Sequence, residues 1–288
     1  MKTLLCIVII LILLYLFFLC PSLRKMDRKP FLGRYYAHRG LYDNHTSAPE
    51  NSLPAFYKAV EGDFGIELDV QLTKDEKLVV THDFTLSRLF RDKEGREVPG
   101  KVYEYTFEQL QDFHILDSAE RIPLFRDVLK TVNGRVPLIV EIKVETGRDW
   151  KRTCEITAEH LKDYPGVYCI ESFHPGAVWW YRQNHPEVMR GQLSEDYLRD
   201  KKFDVLMLAL ANLQLNFLTK PDFIAYNYLH EDNISRRLCR NLFRNFSVAY
   251  TIPSYEELKK QKANFDLLIF EGFLPDREDC QVLKKSVE

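Results

Sequence analysis

The sequence predicts an α/β protein, a (β/α)₈ TIM barrel preceded by one transmembrane helix. Short β-rich runs alternate with segments whose apolar residues repeat at helical spacing, and this alternation favours parallel strands joined by helical crossovers. After the apolar start, the chain keeps about 250 residues, the usual size of such a barrel. Residues 4–20 are uncharged and, at about 1.5 Å per residue, just long enough to cross a bilayer core.

The predicted elements follow one another in the order that a barrel requires. The expected barrel strands are 34–37, 65–71, 137–142, 167–173, 188–193, 222–226, 247–252 and 267–271. Helix starts are marked by cap residues or by proline, namely Asn51 or Ser52, Thr106 with Gln109, Pro123, and Ser254 with Glu257. The apolar stretch 205–218 is predicted to be a buried helix before the sixth strand, with an interfacial helix that dips into lipid as the alternative.

The amino-terminal segment is expected to remain in the mature protein. We predict a transmembrane anchor at 1–22, a basic linker at 23–34 and the barrel domain at 35–288. A cleaved signal peptide is the alternative, but Phe17 to Pro21 lacks the small residues of a cleavage site. The basic residues after the apolar run place the body on the cytoplasmic side, although Lys2 favours the opposite orientation.

Composition excludes some classes of partner. The formal net charge is −2, so no general attraction to nucleic acid is expected. Cysteines of the body, at 154, 169, 239 and 280, lack the paired spacing of a zinc site or of a disulfide framework. The sequence gives no indication of the oligomeric state.

One β-rich run, 78–81, begins too soon after the second strand for a parallel crossover, which needs a dozen or more residues. It is therefore predicted to form a hairpin that folds back on the second strand and brings His82 near Glu67 and Asp69. Residues 84–122 then become an insertion before the third barrel strand. Long insertions at this end of a barrel commonly shape the substrate site.

Acidic residues cluster where predicted strands end, which is where barrel enzymes place their functional groups. Residues two apart in a strand face the same way, so Glu67 points with Asp69, and Glu141 points with Lys143. Taken singly, such pairs are also typical of a solvated face or a structural ion pair. Together at the barrel axis they call for a cation, and their oxygen ligands suit Mg²⁺ or Ca²⁺.

Several ordered motifs resemble one known family. The motifs are Ala37-His38-Arg39-Gly40, Pro49-Glu50-Asn51-Ser52, Glu67-Leu68-Asp69, Val79-Val80-Thr81-His82-Asp83, Glu141-Ile142-Lys143 and Ser172-Phe173. In this order they are similar to the glycerophosphodiester phosphodiesterases, across roughly residues 35–275. The resemblance implies a TIM barrel, a small-molecule glycerophosphodiester substrate, and metal-dependent hydrolysis to glycerol 3-phosphate and an alcohol in lipid metabolism.

The same resemblance implies roles for individual residues. His38 and His82 look like the general acid and base, without an assignment of which is which. Glu67, Asp69 and Glu141 look like ligands of one divalent cation. Contacts to the substrate phosphate are implied for the cations Arg39 and Lys143, and for Asn51. The nucleophile is either water or a neighbouring glycerol hydroxyl that forms a cyclic intermediate.

Later segments depart from the family pattern. Tyr250-Thr251-Ile252-Pro253 stands where the family often has Trp-Thr-x-Asn, and Glu271 to Pro275 stands where Thr-Asp-x-Pro is common. The alcohol group of the substrate is therefore open, and Phe173, Tyr250 and Phe273 form either an apolar wall of the site or ordinary packing. Rival functions are a lysophospholipase D-like or phospholipase-like activity and a membrane-tethered protein that binds without catalysis.

Overall fold

The computed structural model describes residues 1–145, 149–197 and 204–285. Eight of its strands are parallel and close into a barrel, because the first strand pairs both with the second and with the last. The strands are β1 (Tyr36–His38), β2 (Gly65–Leu72), β3 (Leu78–Val80), β4 (Phe90–Arg91), β5 (His114–Ile115), β6 (Leu138–Ile142), β7 (Tyr168–Ser172), β8 (Arg190–Ser194), β9 (Phe223–Asn227), β10 (Phe246–Ile252) and β11 (Leu267–Phe270). The barrel order is β1-β2-β6-β7-β8-β9-β10-β11, which confirms the predicted fold.

Helices surround this barrel. They are α1 (Lys2–Leu19), α2 (Leu53–Glu61), α3 (Phe107–Leu110), α4 (Phe125–Val132), α5 (Trp150–Leu161), α6 (Pro175–Asn184), α7 (Val205–Ala211), α8 (Asn216–Thr219), α9 (Ile234–Asn241), α10 (Tyr255–Gln261) and α11 (Arg277–Lys285). Ser52, Thr106 and Ser254 cap α2, α3 and α10 as predicted. The helix expected to open at Pro123 begins two residues later, and Pro123 instead accepts the backbone hydrogen bond of Val80.

Strand alternation decides which side chains face the barrel axis. Leu68 and Ile142 belong to the core cluster between the strands and the helices, as predicted, whereas Ile139 packs in the barrel interior. Asp69 lies opposite Glu141 in the parallel pairing of β2 with β6. Because residues two apart share a face, the acidic side chains of both strands point towards the axis.

The predicted hairpin is confirmed. β3 runs antiparallel to β2, with Val70 opposite Val80 and Leu72 opposite Leu78. The amide nitrogen of Gln71 then ties the following turn to β2, since it lies 2.9, 3.0 and 2.9 Å from the carbonyl oxygens of residues 81, 82 and 83. The inserted segment that follows has its own small core, which includes Leu86, Phe90, Val102 and Leu110.

In the described part of the chain, α1 is the one helix long and apolar enough to cross a membrane, with a mean hydropathy of 2.8. Its first thirteen residues, 2–14, are exposed, whereas Leu19 is fully buried. The segment after it is held against the body: Arg24 Nε donates to Asp222 Oδ1 at 2.6 Å, and Phe31 is buried at the amino-terminal end of the barrel.

The prediction of one buried helix over residues 205–218 is wrong. The stretch forms α7 and α8, separated by a turn in which Leu213 has a positive φ of 56°. Val205 and Leu206 are 71% and 56% exposed, while Ala211, Leu213 and Asn216 are buried. Asn212 ends α7, and the apolar amino-terminal half of this short helix lies on the surface.

Candidate active site

His38 is the last residue of β1, and two carboxylates hold its ring. Its Nδ1 lies 2.6 Å from Glu271 Oε2, directly after β11, and its Nε2 lies 3.8 Å from Glu67 Oε2. Tyr42 donates its hydroxyl hydrogen to the same Glu271 oxygen at 3.1 Å. Burial lowers the pKa of His38, and the hydrogen bond to Glu271 partly opposes that effect. Glu271 therefore fixes the ring with Nε2 towards the acidic cluster.

His82 lies on the turn after β3, close to Asp69 and Glu141 of that cluster. Its Nδ1 is 2.7 Å from Asp83 Oδ1, and about a third of its side chain is exposed. Lys143 and, after it, a positive charge on this ring would lower the pKa of Asp69 and of Glu141 against the effect of burial. The hairpin predicted from the sequence thus brings the second imidazole to the carboxylates of β2 and β6.

Three carboxylates meet at the barrel axis. One oxygen each from Glu67, Asp69 and Glu141 lies within 4.8 Å of the others, and all three residues are buried. Asp69 Oδ1 has no hydrogen-bond partner within the described residues. Buried, closely spaced carboxylate oxygens without full hydrogen bonding match the donor set of a hard cation, so these residues could hold a metal ion.

The charge balance around this cluster is strongly perturbed. Burial, reinforced by Asp69 and Glu141, raises the pKa of Glu67 well above its usual range. Burial also raises the pKa of Glu141, although Lys143 Nζ lies 3.0 Å from it and opposes the shift. For Asp69 the cations outweigh burial, chiefly Lys143 at 3.6 Å, and its pKa is lowered. The carboxylates therefore repel one another unless positive charge is added between them.

Arg39 and Asn51 lie beside Asp69. Both have a positive φ, 55° and 57°, and both lie in the loop that connects β1 to α2. Asn51 Nδ2 donates to Asp69 Oδ2 at 3.0 Å, and the backbone N–H of Arg39 donates to Glu67 Oε2 at 3.2 Å. Within the described chain, Arg39 Nε and Asn51 Oδ1 make no hydrogen bond. Both polar atoms therefore remain without a hydrogen bond at the edge of the acidic cluster.

An ion-pair network around buried Glu50 links the two histidine sides of the site. Glu50 accepts from Arg39 at 2.7 Å and from both terminal nitrogens of Arg88 at 2.7 and 2.8 Å. Arg88 also binds Asp83, which in turn holds His82. Burial would raise the pKa of Glu50, but Arg88 and Arg39 lower it to about 2. The network fixes the side chains of Arg39 and His82 relative to each other.

Sequence reasoning missed Glu171 and the positioning roles of Glu50, Arg88 and Glu271. Glu171 lies in β7 directly opposite Glu141, is buried, and has a pKa raised by burial and then by Glu141. The available signal was strand alternation, because Glu171 immediately precedes the Ser172-Phe173 motif and shares the parity of an axis-facing residue. No local pattern links residue 271 to residue 38, since only closure of the barrel brings them together.

The three aromatic residues singled out in the sequence do not form one wall. Phe173 and Tyr250 pack edge to face with ring centroids 6.0 Å apart, and Tyr250 donates its hydroxyl hydrogen to the carbonyl of Ser194. Phe273 packs instead on Phe270, with centroids 5.4 Å apart, in the core cluster on the helix side. Phe273 is only partly buried, and it also lines a cavity with Tyr42 and Glu271.

A family model described as the glycerophosphoryl diester phosphodiesterase family matches residues 38–265, most of the chain and all of the site except Glu271. The chain belongs to this family. A glycerophosphodiester phosphodiesterase of Bacillus altitudinis is 33% identical over 178 residues, which cover 57% of this chain and 68% of that protein. A second glycerophosphodiester phosphodiesterase, from Caldanaerobacter subterraneus, is 38% identical, and the match spans 38% of this chain and 44% of that protein. The chain thus spans about two thirds of the length of one curated relative and less than half of the other.

Solved structures support the fold. A phosphodiesterase of Oleispira antarctica, in complex with the product sn-glycerol-3-phosphate, superposes with a TM-score of 0.65 at 21% identity and covers 89% of this chain and 97% of that one. A glycerophosphodiester phosphodiesterase of Thermotoga maritima has a TM-score of 0.62 at 22% identity, with 88% and 98% covered. The family, the barrel and the enzyme class predicted from the sequence are confirmed.

Proposed function

We propose that this member of the phosphodiesterase family hydrolyses glycerophosphodiesters to glycerol 3-phosphate and an alcohol, and that it needs a divalent cation to do so. One observation carries the proposal: oxygens of Glu67, Asp69 and Glu141 lie within 4.8 Å of one another, close to two imidazoles that are each held by a carboxylate. This arrangement combines a cation site with two groups that can transfer protons near neutral pH.

The proposed cation ligands are Glu67, Asp69 and Glu141. Their oxygen-only donor set favours Mg²⁺ or Ca²⁺ over zinc, which prefers nitrogen and sulfur ligands. When bound, such an ion would supply positive charge that stabilises the negative charge growing on the phosphoryl oxygens. Asp69 Oδ1 supports this assignment, because it makes no hydrogen bond within the described residues, its nearest cation Lys143 Nζ is 3.6 Å away, and a buried carboxylate oxygen without a hydrogen bond is costly.

The cations of the chain would bind the substrate phosphate. Lys143 Nζ lies 3.0 Å from Glu141 and 3.6 Å from Asp69, so it is placed to contact an anion beside these carboxylates. Arg39 is held by Glu50 through one terminal nitrogen, while its Nε makes no hydrogen bond among the described residues and lies 3.6 Å from Asp69 Oδ2. Asn51 Oδ1 likewise makes no hydrogen bond among the described residues, and we propose that it contacts the substrate or supports its binding.

His38 and His82 would transfer the protons. In both rings Nδ1 is occupied by a carboxylate, Glu271 or Asp83, so Nε2 is the atom that can accept or donate a proton at the substrate. One ring would take the proton of the nucleophile, and the other would protonate the departing alkoxide. Each such transfer typically contributes about 10²- to 10⁴-fold to the rate.

The test uses the full-length enzyme in detergent and glycerophosphocholine as substrate, with Mg²⁺, with Ca²⁺ or with a chelator. We expect hydrolysis that is lost with the chelator and restored by one of the ions. His38→Ala and His82→Ala should each lower kcat by about 10²-fold or more while the protein remains folded. His185→Ala is the matched control, since that ring is paired with Glu187 on the surface. An active double mutant would remove the acid–base assignment.

The second candidate is a lysophospholipase D-like activity of the same site. A human lysophospholipase D is 29% identical over 156 residues, which cover 51% of this chain and 48% of that protein. An apolar amino-terminal helix would also keep the enzyme beside lipids. Parallel assays with glycerophosphocholine and lysophosphatidylcholine separate the two candidates, because hydrolysis of the lysolipid alone would replace the first.

We further propose that α1 is an uncleaved anchor. Asn216 Nδ2 donates to the carbonyl of Leu19 at 3.0 Å, and Lys220 Nζ donates to the carbonyl of Cys20 at 2.9 Å, so the helix end contributes to the packing of the body. Intact-mass measurement of the protein purified from membranes should therefore show residues 1–20 still present. Loss of these residues would identify a signal peptide. The cytoplasmic location of the body stays a prediction, and protease protection in sealed vesicles tests it.

A further inference from the structure

The attachment of α1 fixes its direction relative to the active site. Tyr15 and Ser235 share a hydroxyl hydrogen bond of 2.8 Å, and Ser235 lies in the first turn of α9. One turn further along both helices, Cys239 Sγ lies 3.7 Å from the carbonyl oxygen of Leu19. The two helices therefore run side by side in the same direction. Helix α9 follows β9, so it starts at the carboxyl ends of the strands, where the catalytic groups lie.

The residues after α1 confirm this direction. The backbone N–H of Ser22 donates to the carbonyl of Pro221, and Arg24 binds Asp222, which immediately precedes β9. The chain thus descends from the active-site end of the barrel to the opposite end. Everything that precedes Tyr15 consequently projects from the body on the active-site side.

The projecting part of α1 is short for a bilayer. Residues 2–14 are exposed, and at about 1.5 Å per residue they reach about 20 Å beyond the body, against about 30 Å for a hydrocarbon core. The rest of the helix is held on the barrel wall by Tyr15 and Leu19. With that attachment intact, the apolar length of α1 reaches deep into the bilayer only if the active-site end of the barrel lies against the lipid surface.

Exposed apolar side chains occupy this end of the barrel. Val205 and Leu206, at the start of α7, are 71% and 56% exposed, and Ile234, at the start of α9, is 71% exposed. The carboxyl end of α7 packs beside the carboxyl ends of β8 and β9, because the carbonyl of Ala211 accepts from Tyr226 at 2.7 Å and that of Leu210 accepts from Ser194 at 2.8 Å. Single exposed apolar residues are ordinary, but these lie beside an apolar helix that leaves the body at the same end.

From these contacts we infer that Val205, Leu206 and Ile234 form a lipid-contacting face, and that the active site opens towards the bilayer. The inference rests on the proposed hydrolase and favours the second candidate for its substrate class, namely phosphodiesters held in the membrane by an acyl chain. Such a lipid reaches the site from the surface it already occupies, whereas a water-soluble diester must diffuse into the gap between the body and the membrane.

The test combines one variant set with one matched control. Leu206→Asp and Ile234→Asp are introduced together in the full-length enzyme, because desolvating a charge at a lipid surface opposes contact. Leu242→Asp is the control, since Leu242 is 55% exposed but lies at the opposite end of α9. Hydrolysis is measured on lysophosphatidylcholine in dioleoylphosphatidylcholine vesicles that carry the reconstituted enzyme, and on glycerophosphocholine in detergent.

We expect the double variant to lose about ten-fold or more of the vesicle activity and to keep its activity on glycerophosphocholine, while the control keeps both. As a readout independent of catalysis, the fluorescence added by Leu206→Trp should be quenched by brominated lipid, and that added by Leu242→Trp should not. Equal vesicle activity of variant and wild type, or equal quenching at both positions, would overturn the inference.

Two further outcomes are distinguishable. If wild-type enzyme hydrolyses neither substrate, the proposed function itself fails, whereas the quenching measurement still tests the lipid-contacting face. If the detergent-solubilised wild type is a dimer that the double variant converts to a monomer, and quenching at position 206 is absent, a second copy of the chain covers this face and the lipid contact is refuted.

Discussion

Replacement of Glu50 by glutamine should destabilise the protein strongly, although Glu50 is neither a proposed metal ligand nor a proton-transfer group. The side chain is buried and accepts hydrogen bonds from Arg39, Arg88 and Asn44. Arg88 and Arg39 lower the pKa of Glu50 from an ordinary value of 4.5 to about 2. At about 1.4 kcal/mol per pKa unit, this shift corresponds to about 3 kcal/mol of folding free energy at neutral pH.

The pH dependence has a definite sign. Because the folded-state pKa lies below the unfolded-state value, the contribution of Glu50 is complete above about pH 4.5 and is lost as the pH falls towards 2. Glu50→Gln should therefore lower the melting temperature by roughly 6–12 °C at pH 7, at about 2–4 °C per kcal/mol. The difference between variant and wild type should shrink as unfolding is measured at increasingly acidic pH.

The assay is thermal unfolding of the full-length protein in detergent, followed by circular dichroism. Glu94→Gln is the matched control, since Glu94 pairs with Arg96 at an exposed site and such pairs contribute little. Equal melting temperatures for Glu50→Gln and wild type at pH 7 would show that the two arginines do not depend on Glu50, and would refute the proposed coupling between Arg39 and the His82 side of the site.

Three more substitutions test individual parts of the site. Glu141→Gln removes one proposed ligand and should raise the cation concentration for half-maximal activity by about ten-fold or more; an unchanged titration would remove Glu141 from the ligand set. Glu271→Gln keeps the shape but weakens the bond to His38 Nδ1, so kcat should fall about ten-fold with KM little changed, and the acidic or basic limb of the pH–rate profile should move. Gln71→Leu leaves three carbonyls of the His82 turn without their amide partner, and increased hydrogen exchange of residues 81–83 should accompany a lower kcat.

The barrel and the acidic centre could be predicted because both depend on short-range patterns. Period-two alternation identifies which residues of β2 and β6 face the axis, and the parallel register then places Asp69 opposite Glu141. The short spacing between β2 and β3 excludes a crossover, which was sufficient to bring His82 back to the site. In each case one local constraint allowed only one arrangement of the strands.

The partners of these groups could not be predicted, since they depend on contacts between distant segments. Glu271 meets His38 only because β11 pairs with β1 to close the barrel. Arg88 reaches Glu50 from within the insertion, whose path no sequence pattern specifies. The exposed half of α7 was misjudged for a related reason: apolar composition predicts burial in a soluble domain, and the same composition is expected where a surface meets lipid.

Acidic side chains outnumber permanent cations at the barrel axis, and this imbalance bears on the chemistry of the site. In the described chain, the carboxylates of Glu67, Asp69, Glu141 and Glu171 face two permanent cations, Arg39 and Lys143. Burial and mutual repulsion raise the pKa of three of these four acids, so the site is short of positive charge rather than neutralised within itself. A structural ion-pair network would be expected to balance its charges. A site that received both a cation and an anionic phosphodiester, as proposed, would retain such an imbalance, since the cation would offset the excess negative charge and leave Arg39 and Lys143 to the phosphate.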